Sequence, residues 1–189
     1  MRQRFAFPAA FLLPLALALA AGAAELAMGR HPICTCGAVD LWVGARDSPR
    51  TSQMLADWYS FSHIVHGLLF YGLLWLVARR VPVQWRFLAA MAIECGWEVL
   101  ENTQAVIDHY RATTAALGYN GDSVVNSLSD VAMMALGFLA ARKLPLWGSV
   151  LLIIALEIIP LIVIRDNLTL NVIGFIAPNA AIQAWQAGG

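Results

Sequence analysis

Ionisable side chains stand inside stretches otherwise apolar enough for lipid, and their spacing is helical. Ser62-His63-Ile64-Val65-His66 places two imidazoles three residues apart, on one helix face. Glu94, Glu98 and Glu101 are spaced four and three, which stacks three carboxylates along one stripe. Asn126 and Asp130 are four apart, with Ser123 and Ser127 close to the same stripe. Imidazole and carboxylate are ligand types that Zn²⁺ and other divalent metals accept. His63, His66, Glu101 and Asp130 therefore form a candidate metal set. A metal-bound water would attack an ester or phosphoester, with a remaining carboxylate as general base. Glu98, Glu101, Asp130 and Asn126 are the candidate catalytic groups, and Arg165 would hold a phosphate or carboxylate head group. A metal-free variant pairs a carboxylate of raised pKa with an ionised one. A Ser-His-Asp triad from Ser62 or Ser127 has no nucleophile-elbow pattern behind it.

The elements that position these residues follow from composition. Of 189 residues, 60% are apolar and 13% charged, outside the range of soluble domains. Twelve basic residues balance twelve acidic ones, which excludes the electrostatic footprint of a nucleic-acid binder. Low charge and high apolarity also exclude disorder. The chain reads as a single-domain, all-α integral membrane helix bundle, with no internal repeat.

A helix needs about 20 mostly apolar residues to cross roughly 30 Å of hydrocarbon. Residues 5–24, 61–77, 87–107, 124–141 and 148–164 qualify, giving five spans. The count is four if the first is a cleaved signal peptide, since Met1–Arg4 is basic and Ala18-Leu19-Ala20 resembles a cleavage site. A retained anchor remains the alternative. Leu168–Ala177 is too short to span and reads as an interfacial or re-entrant helix stopped by Pro178. Arg2 and Arg4, Arg79, Arg80 and Arg86, and Arg142 with Lys143 fall on one side, which is then cytoplasmic. The N-terminus faces the cytoplasm, while residues 25–60, 108–123 and 165–189 face outward. Trp42, Trp58, Tyr59, Trp85, Tyr110 and Trp147 cluster near span ends as an aromatic belt would.

Depths counted from these outer boundaries put His66 about 8 Å in, Glu101 and Asp130 about 9 Å, and Glu157 about 11 Å. Glu98 lies somewhat deeper and Glu94 near the middle. Several spans thus bring ionisable groups to one level, as a polar pocket opening outward requires. Asn, Ser and His also serve as interhelical hydrogen-bond glue. Three glutamates on one face exceed what glue requires, because buried carboxylates are costly.

Arg30-His31-Pro32-Ile33-Cys34-Thr35-Cys36-Gly37 begins the outer loop. A disulfide between cysteines two apart is strained, and a metal set of His31, Cys34 and Cys36 lacks a fourth ligand. A tight turn holding small, partly buried thiols accounts better for the pair. Cys95, in mid-span, reads as core packing.

Several long motifs resemble a family of small multi-pass bacterial inner-membrane proteins, an uncharacterised family of unknown function. They are Cys34-Thr35-Cys36-Gly37, Asp57 through Gly67, Trp97 through Asn102, Tyr119 through Asp130, and Ile164 through Asn171. The resemblance covers roughly Met28 to Pro178 and implies an inner-membrane location, with no activity, cofactor or site residue attached. Asn126-x-x-x-Asp130 is also loosely similar to motifs of membrane-embedded aspartyl signal peptidases, where the second acid here would be Asp122, Asp166 or a glutamate.

Two readings of the pocket follow. One is an enzyme, metal-dependent or not, acting on a membrane lipid or lipid-linked substrate at the outer leaflet. The other is a transporter, proton-relay component or accessory subunit, in which Glu94, Glu98 and Glu101 carry protons. Phe87–Ile93 below Glu94 is entirely apolar, and 189 residues is small for alternating access without oligomerisation. The polar groups stop halfway, as a one-sided pocket would.

Overall fold

Helix α1 runs Ala9–Ala27, α2 Ser60–Ala78, α3 Val83–Glu101, α4 Gln104–Thr113, α5 Val124–Lys143, α6 Leu146–Ile164, α7 Leu168–Ile176 and α8 Ala180–Gln186. The computed structural model describes residues 9–114 and 118–188, with side chains from residue 12 onward. Among the described residues there is no strand, and the protein is an all-helical bundle. Arg2, Arg4 and the start of the first apolar run lie outside the described residues. Helices α2, α5 and α6 are each long and apolar enough to cross a membrane. Helix α1 adds a shorter apolar stretch, Leu12–Ala27. Helix α3 matches α2 in length but carries Arg86, Glu94, Glu98 and Glu101.

The closest helix pair is α2 and α5. A methyl group at Gly67 would overlap the Met134 carbonyl oxygen, and one at Gly137 the Ile64 carbonyl oxygen. Each glycine lets the opposing backbone in, the way small residues permit tight crossings in lipid. Around this crossing Ala90, Met91, Cys95, Val131, Met134 and Phe138 form the core, with Ala21 of α1 against them. Cys95 is the buried, unpaired core residue that its mid-span position implies. Helix α6 leaves most of its apolar surface outside, with Leu146 82% and Ile162 74% exposed.

The loop between α1 and α2 closes the α5 end of the bundle. The first N–H groups of a helix have no partner within it. Here Val124 N donates to His31 O at 2.9 Å and Val125 N to Pro32 O at 3.1 Å. The Ser123 hydroxyl caps Asn126 N at 3.3 Å. His31 thus serves the fold through its carbonyl. Cys34 and Cys36 are disulfide-bonded, so the expectation of a turn with free thiols is corrected and the thiolate metal set falls with it. Gly37 takes a left-handed φ of 75° to close that turn.

The third apolar run does not continue to Ile107. Helix α3 begins at Val83 and ends at Glu101, Asn102 and Thr103 form the turn, and α4 starts at Gln104. At the other end of the chain, α7 has nine residues, a length of about 13 Å, and cannot span. Arg165, at φ 56°, reverses the chain after α6. Glu157 of α6 then fastens the start of α7, accepting from Thr169 N at 3.1 Å and Thr169 Oγ1 at 2.5 Å. Helix α7 therefore starts alongside α6, and Gly174 brings it against Thr113 of α4, where a Cβ would sit 2.9 Å from the Thr113 carbonyl.

Candidate functional site

His63 stands at the centre of the polar residues. Its Nδ1 lies 2.6 Å from Glu94 Oε1 and 3.3 Å from Glu98 Oε1. Its Nε2 lies 3.7 Å from Asp130 Oδ2. The other oxygen of Asp130 accepts from Ser60 Oγ at 2.9 Å. His66 Nδ1 is 3.2 Å from both oxygens of Glu94. One carboxylate is therefore held between two imidazoles, and a second orients the far side of His63. Glu94 and Glu98 are 0% and 1% exposed.

Two groups of ligand atoms emerge, each confined within 4.8 Å. One is His63, His66 and Glu94; the other is Glu98, Glu101 and Asp122. The sequence-based set of His63, His66, Glu101 and Asp130 is thus redistributed. His66 meets Glu94 instead of Glu101, and Asp130 backs His63 from the opposite ring nitrogen. The cause is the end of α3. Counted from Glu101 as the outer boundary, Glu94 lies about 10 Å in, level with His66 at about 9 Å.

Other expected site residues are placed elsewhere. Asn126 donates through Nδ2 to Met54 O at 2.8 Å, so it ties α5 to the outer loop. Arg165 donates to Trp185 O at 3.0 Å and lies over the Trp185 ring, outside the cavity lining. Ser127 accepts from Asn102 Nδ2 at 3.2 Å, whereas Ser60 is the serine that meets Asp130. Asp122 accepts from Tyr119 and Asn102, and Asp166 from Tyr59, Asn171 and Gln186. No hydrogen bond joins Asp130 to either aspartate among the described residues.

The histidines and Glu94 line a cavity of about 470 Å³. Its opposite wall is apolar and comes from α7 through Leu168, Val172, Phe175 and Ile176. Phe70 stacks on His66 with ring centroids 5.8 Å apart. A second cavity of about 530 Å³ lies among the outer loops and is lined in part by Arg30, His31 and Arg46. Ser52, Tyr59, Tyr119 and Asp122 line both, and so form a neck between the histidine chamber and this vestibule.

Burial pushes the carboxyl of Asp122 up from 3.8 to about 6, against hydrogen bonds from Tyr119 and Asn102 that favour its ionised form. Burial does the same to Asp166, also to about 6, and raises Asp57. Asp57 braces the loop just before α2, accepting from Ser52 N at 2.7 Å and Tyr59 N at 2.8 Å.

Sequence reasoning left Glu25, Tyr59, Tyr119 and Asn102 out of the site. Glu25 is 0% exposed near the end of α1, although it reads as the first residue past an apolar run. Its isolation among alanines was the available signal. Asn102-Thr103 was another, because Asn often ends a helix and Thr begins one.

Comparison with known proteins adds a family and no chemistry. A UPF0314 protein of Rhizobium etli is 51% identical over 178 residues, covering 94% of this chain and 91% of its own. One of Sphingopyxis alaskensis is 50% identical over 181 residues, covering 95% of each. One of Paracoccus denitrificans is 50% identical over 160 residues, covering 85% of this chain and 83% of its own. No solved structure matches. The family profile described as "Protein of unknown function (DUF2585)" matches residues 25–188, and the chain belongs to that family.

Proposed function

We propose that this protein is a membrane-embedded, metal-dependent hydrolase that cleaves an ester or phosphoester of a lipid or lipid-linked substrate at the outer leaflet of the bacterial inner membrane. The observation that carries the reading is the convergence of His63, His66 and Glu94 beneath an apolar-walled cavity. Two imidazoles and one carboxylate leave open positions on a divalent ion such as Zn²⁺ for water and substrate. Asp130 beyond His63 Nε2 is the outer partner that orients a ligating histidine, and Ser60 holds Asp130 in turn. A carboxylate flanking the three ligands would accept the proton of the attacking water while the leaving oxygen takes a proton from solvent. Acyl chains would lie along α7, and the polar part would face the neck.

The orientation places Arg79, Arg80, Arg142 and Lys143 in the cytoplasm, with α1 and α3 crossing beside α2, α5 and α6. The Cys34–Cys36 disulfide supports an oxidising compartment for the loop that carries it. Packing of α1 on α3 supports a retained first helix. Phe87–Ile93 offers no polar side chain towards the cytoplasm, which favours a one-sided site over a through-path.

Elemental analysis of the purified, detergent-solubilised protein tests the reading. Stoichiometric zinc, manganese or iron is expected, falling at least tenfold in His63→Ala and Glu94→Gln. Metal-free wild-type protein that takes up none on addition would overturn it.

A further inference from the structure

We propose that Glu98, Glu101 and Asp122 hold a second divalent cation beside the histidine-bound one, making the site a two-cation centre. The proposal rests on the hydrolase reading above and specifies its metal complement. The three carboxylates converge within 4.8 Å, and all offer oxygen alone. Such a set suits a hard ion of the Mg²⁺, Mn²⁺ or Ca²⁺ class better than a nitrogen- and sulfur-seeking one.

Two buried carboxylates with oxygens that make no hydrogen bond among the described residues point to a ligand here. Glu98 Oε1 has no hydrogen-bond partner although its side chain is 1% exposed, and it stands 3.3 Å from His63 Nδ1. Glu98 therefore borders both ligand groups, the position of a bridging carboxylate between ions about 4 Å apart. Neither oxygen of Glu25 has a hydrogen-bond partner, and the residue is 0% exposed. Asp122, Ser127 and Arg30 are the polar groups that act on it.

The surroundings hold these oxygens ready. Tyr119 Oη and Asn102 Nδ2 both donate to Asp122 Oδ2, at 2.8 and 3.0 Å, which leaves Oδ1 for a ligand. Asn102 also accepts from Asp122 N at 2.7 Å, so turn and side chain are locked together. Charge argues the same way. Glu94, Glu98 and Asp130 have only His63 and His66 at ion-pair distance among the described residues, and no ion pair reaches Glu25, Glu101 or Asp122. Two imidazoles supply at most two positive charges to this cluster, whereas two divalent ions bring four.

The test titrates Mn²⁺ into chelator-stripped, full-length protein in detergent, counting bound ions by equilibrium dialysis and reading their coupling by electron paramagnetic resonance. Two ions per chain with a spin-coupled signal are expected. Glu101 makes no side-chain hydrogen bond among the described residues, so Glu101→Gln should fold. It should weaken the second ion at least tenfold and convert the coupled spectrum to that of an isolated ion. His63→Ala should remove the other ion. One uncoupled ion in the wild type would overturn the second site and leave the first standing. Two ions that ignore Glu101→Gln would also overturn it, and no bound ion would overturn both sites.

Discussion

At the scale of single residues, the polar groups gather around His63 because α3 aims Glu94 and Glu98 at it and α5 aims Asp130. Asp166 shows what burial does just outside that centre. Its carboxyl, 0% exposed, is raised to about 6 while Tyr59, Asn171 and Gln186 donate to it. A folded-state pKa above the ordinary 3.8 means a stability contribution that is full in acid and lost as pH rises through about 6. Asp166→Asn should therefore lose most relative to wild type below about pH 4, and between pH 5 and pH 8 the gap should narrow by about 1.4 kcal/mol. Melting in detergent across that range checks this; a gap independent of pH would contradict it. The residue types of the site were readable from spacing, since His63, His66, Glu94, Glu98 and Glu101 share helical stripes. Their pairing was not, because a stripe names a face and leaves open which opposing residue it meets. Arg165 shows the other limit. A charge beside a span end reads as a ligand for head groups, yet its guanidinium is taken by the Trp185 carbonyl and ring.

At the scale of elements, one helix end decided the outcome. Carrying α3 on to Ile107 moved its carboxylates by six residues, about 9 Å, and paired His66 with the wrong glutamate. The apolar content of Val106 and Ile107 made the run look continuous, although both belong to α4. The α2–α5 crossing was likewise hidden, because glycines in apolar runs look the same whether or not a neighbour touches them. The contact makes a sharp prediction. Gly67→Ala or Gly137→Ala should force the helices apart and cost about 3 kcal/mol or more, with loss of membrane accumulation. Gly72→Ala, where a Cβ meets nothing within 4 Å, should accumulate normally. Immunoblots of membrane fractions separate the two cases, and equal accumulation would refute the tight crossing. Helix α7 was legible as a short, non-spanning segment, but its role as the cavity wall depends on Gly174 meeting α4, a long-range contact.

At the scale of the whole molecule, the proposed orientation puts the polar chamber towards one side of the membrane and an apolar half towards the other. The proposed orientation predicts an outward C-terminus. A C-terminal alkaline phosphatase fusion should be active and a fluorescent-protein fusion dark, and the reverse would overturn the topology. Single cysteines introduced before and after α7 should both react with a thiol reagent that cannot cross the membrane. Reaction on one side alone would make α7 a span, against its nine residues.

Arg46 carries a consequence for the order of assembly. Its Nη1 donates to Ile164 O and Gln186 O, both at 3.0 Å, across 118 and 140 residues of sequence. The loop that carries Arg46 is synthesised early, and in the proposed orientation translocated early, but this guanidinium finds those carbonyls only after α6 and α8 have emerged from the ribosome. Until then the vestibule lacks its clasp, and α7 has no fixed wall to complete. Maturation of the site is thus timed to the end of translation. A nascent chain stalled before α8 should leave the loop open to protease, while the released chain resists it.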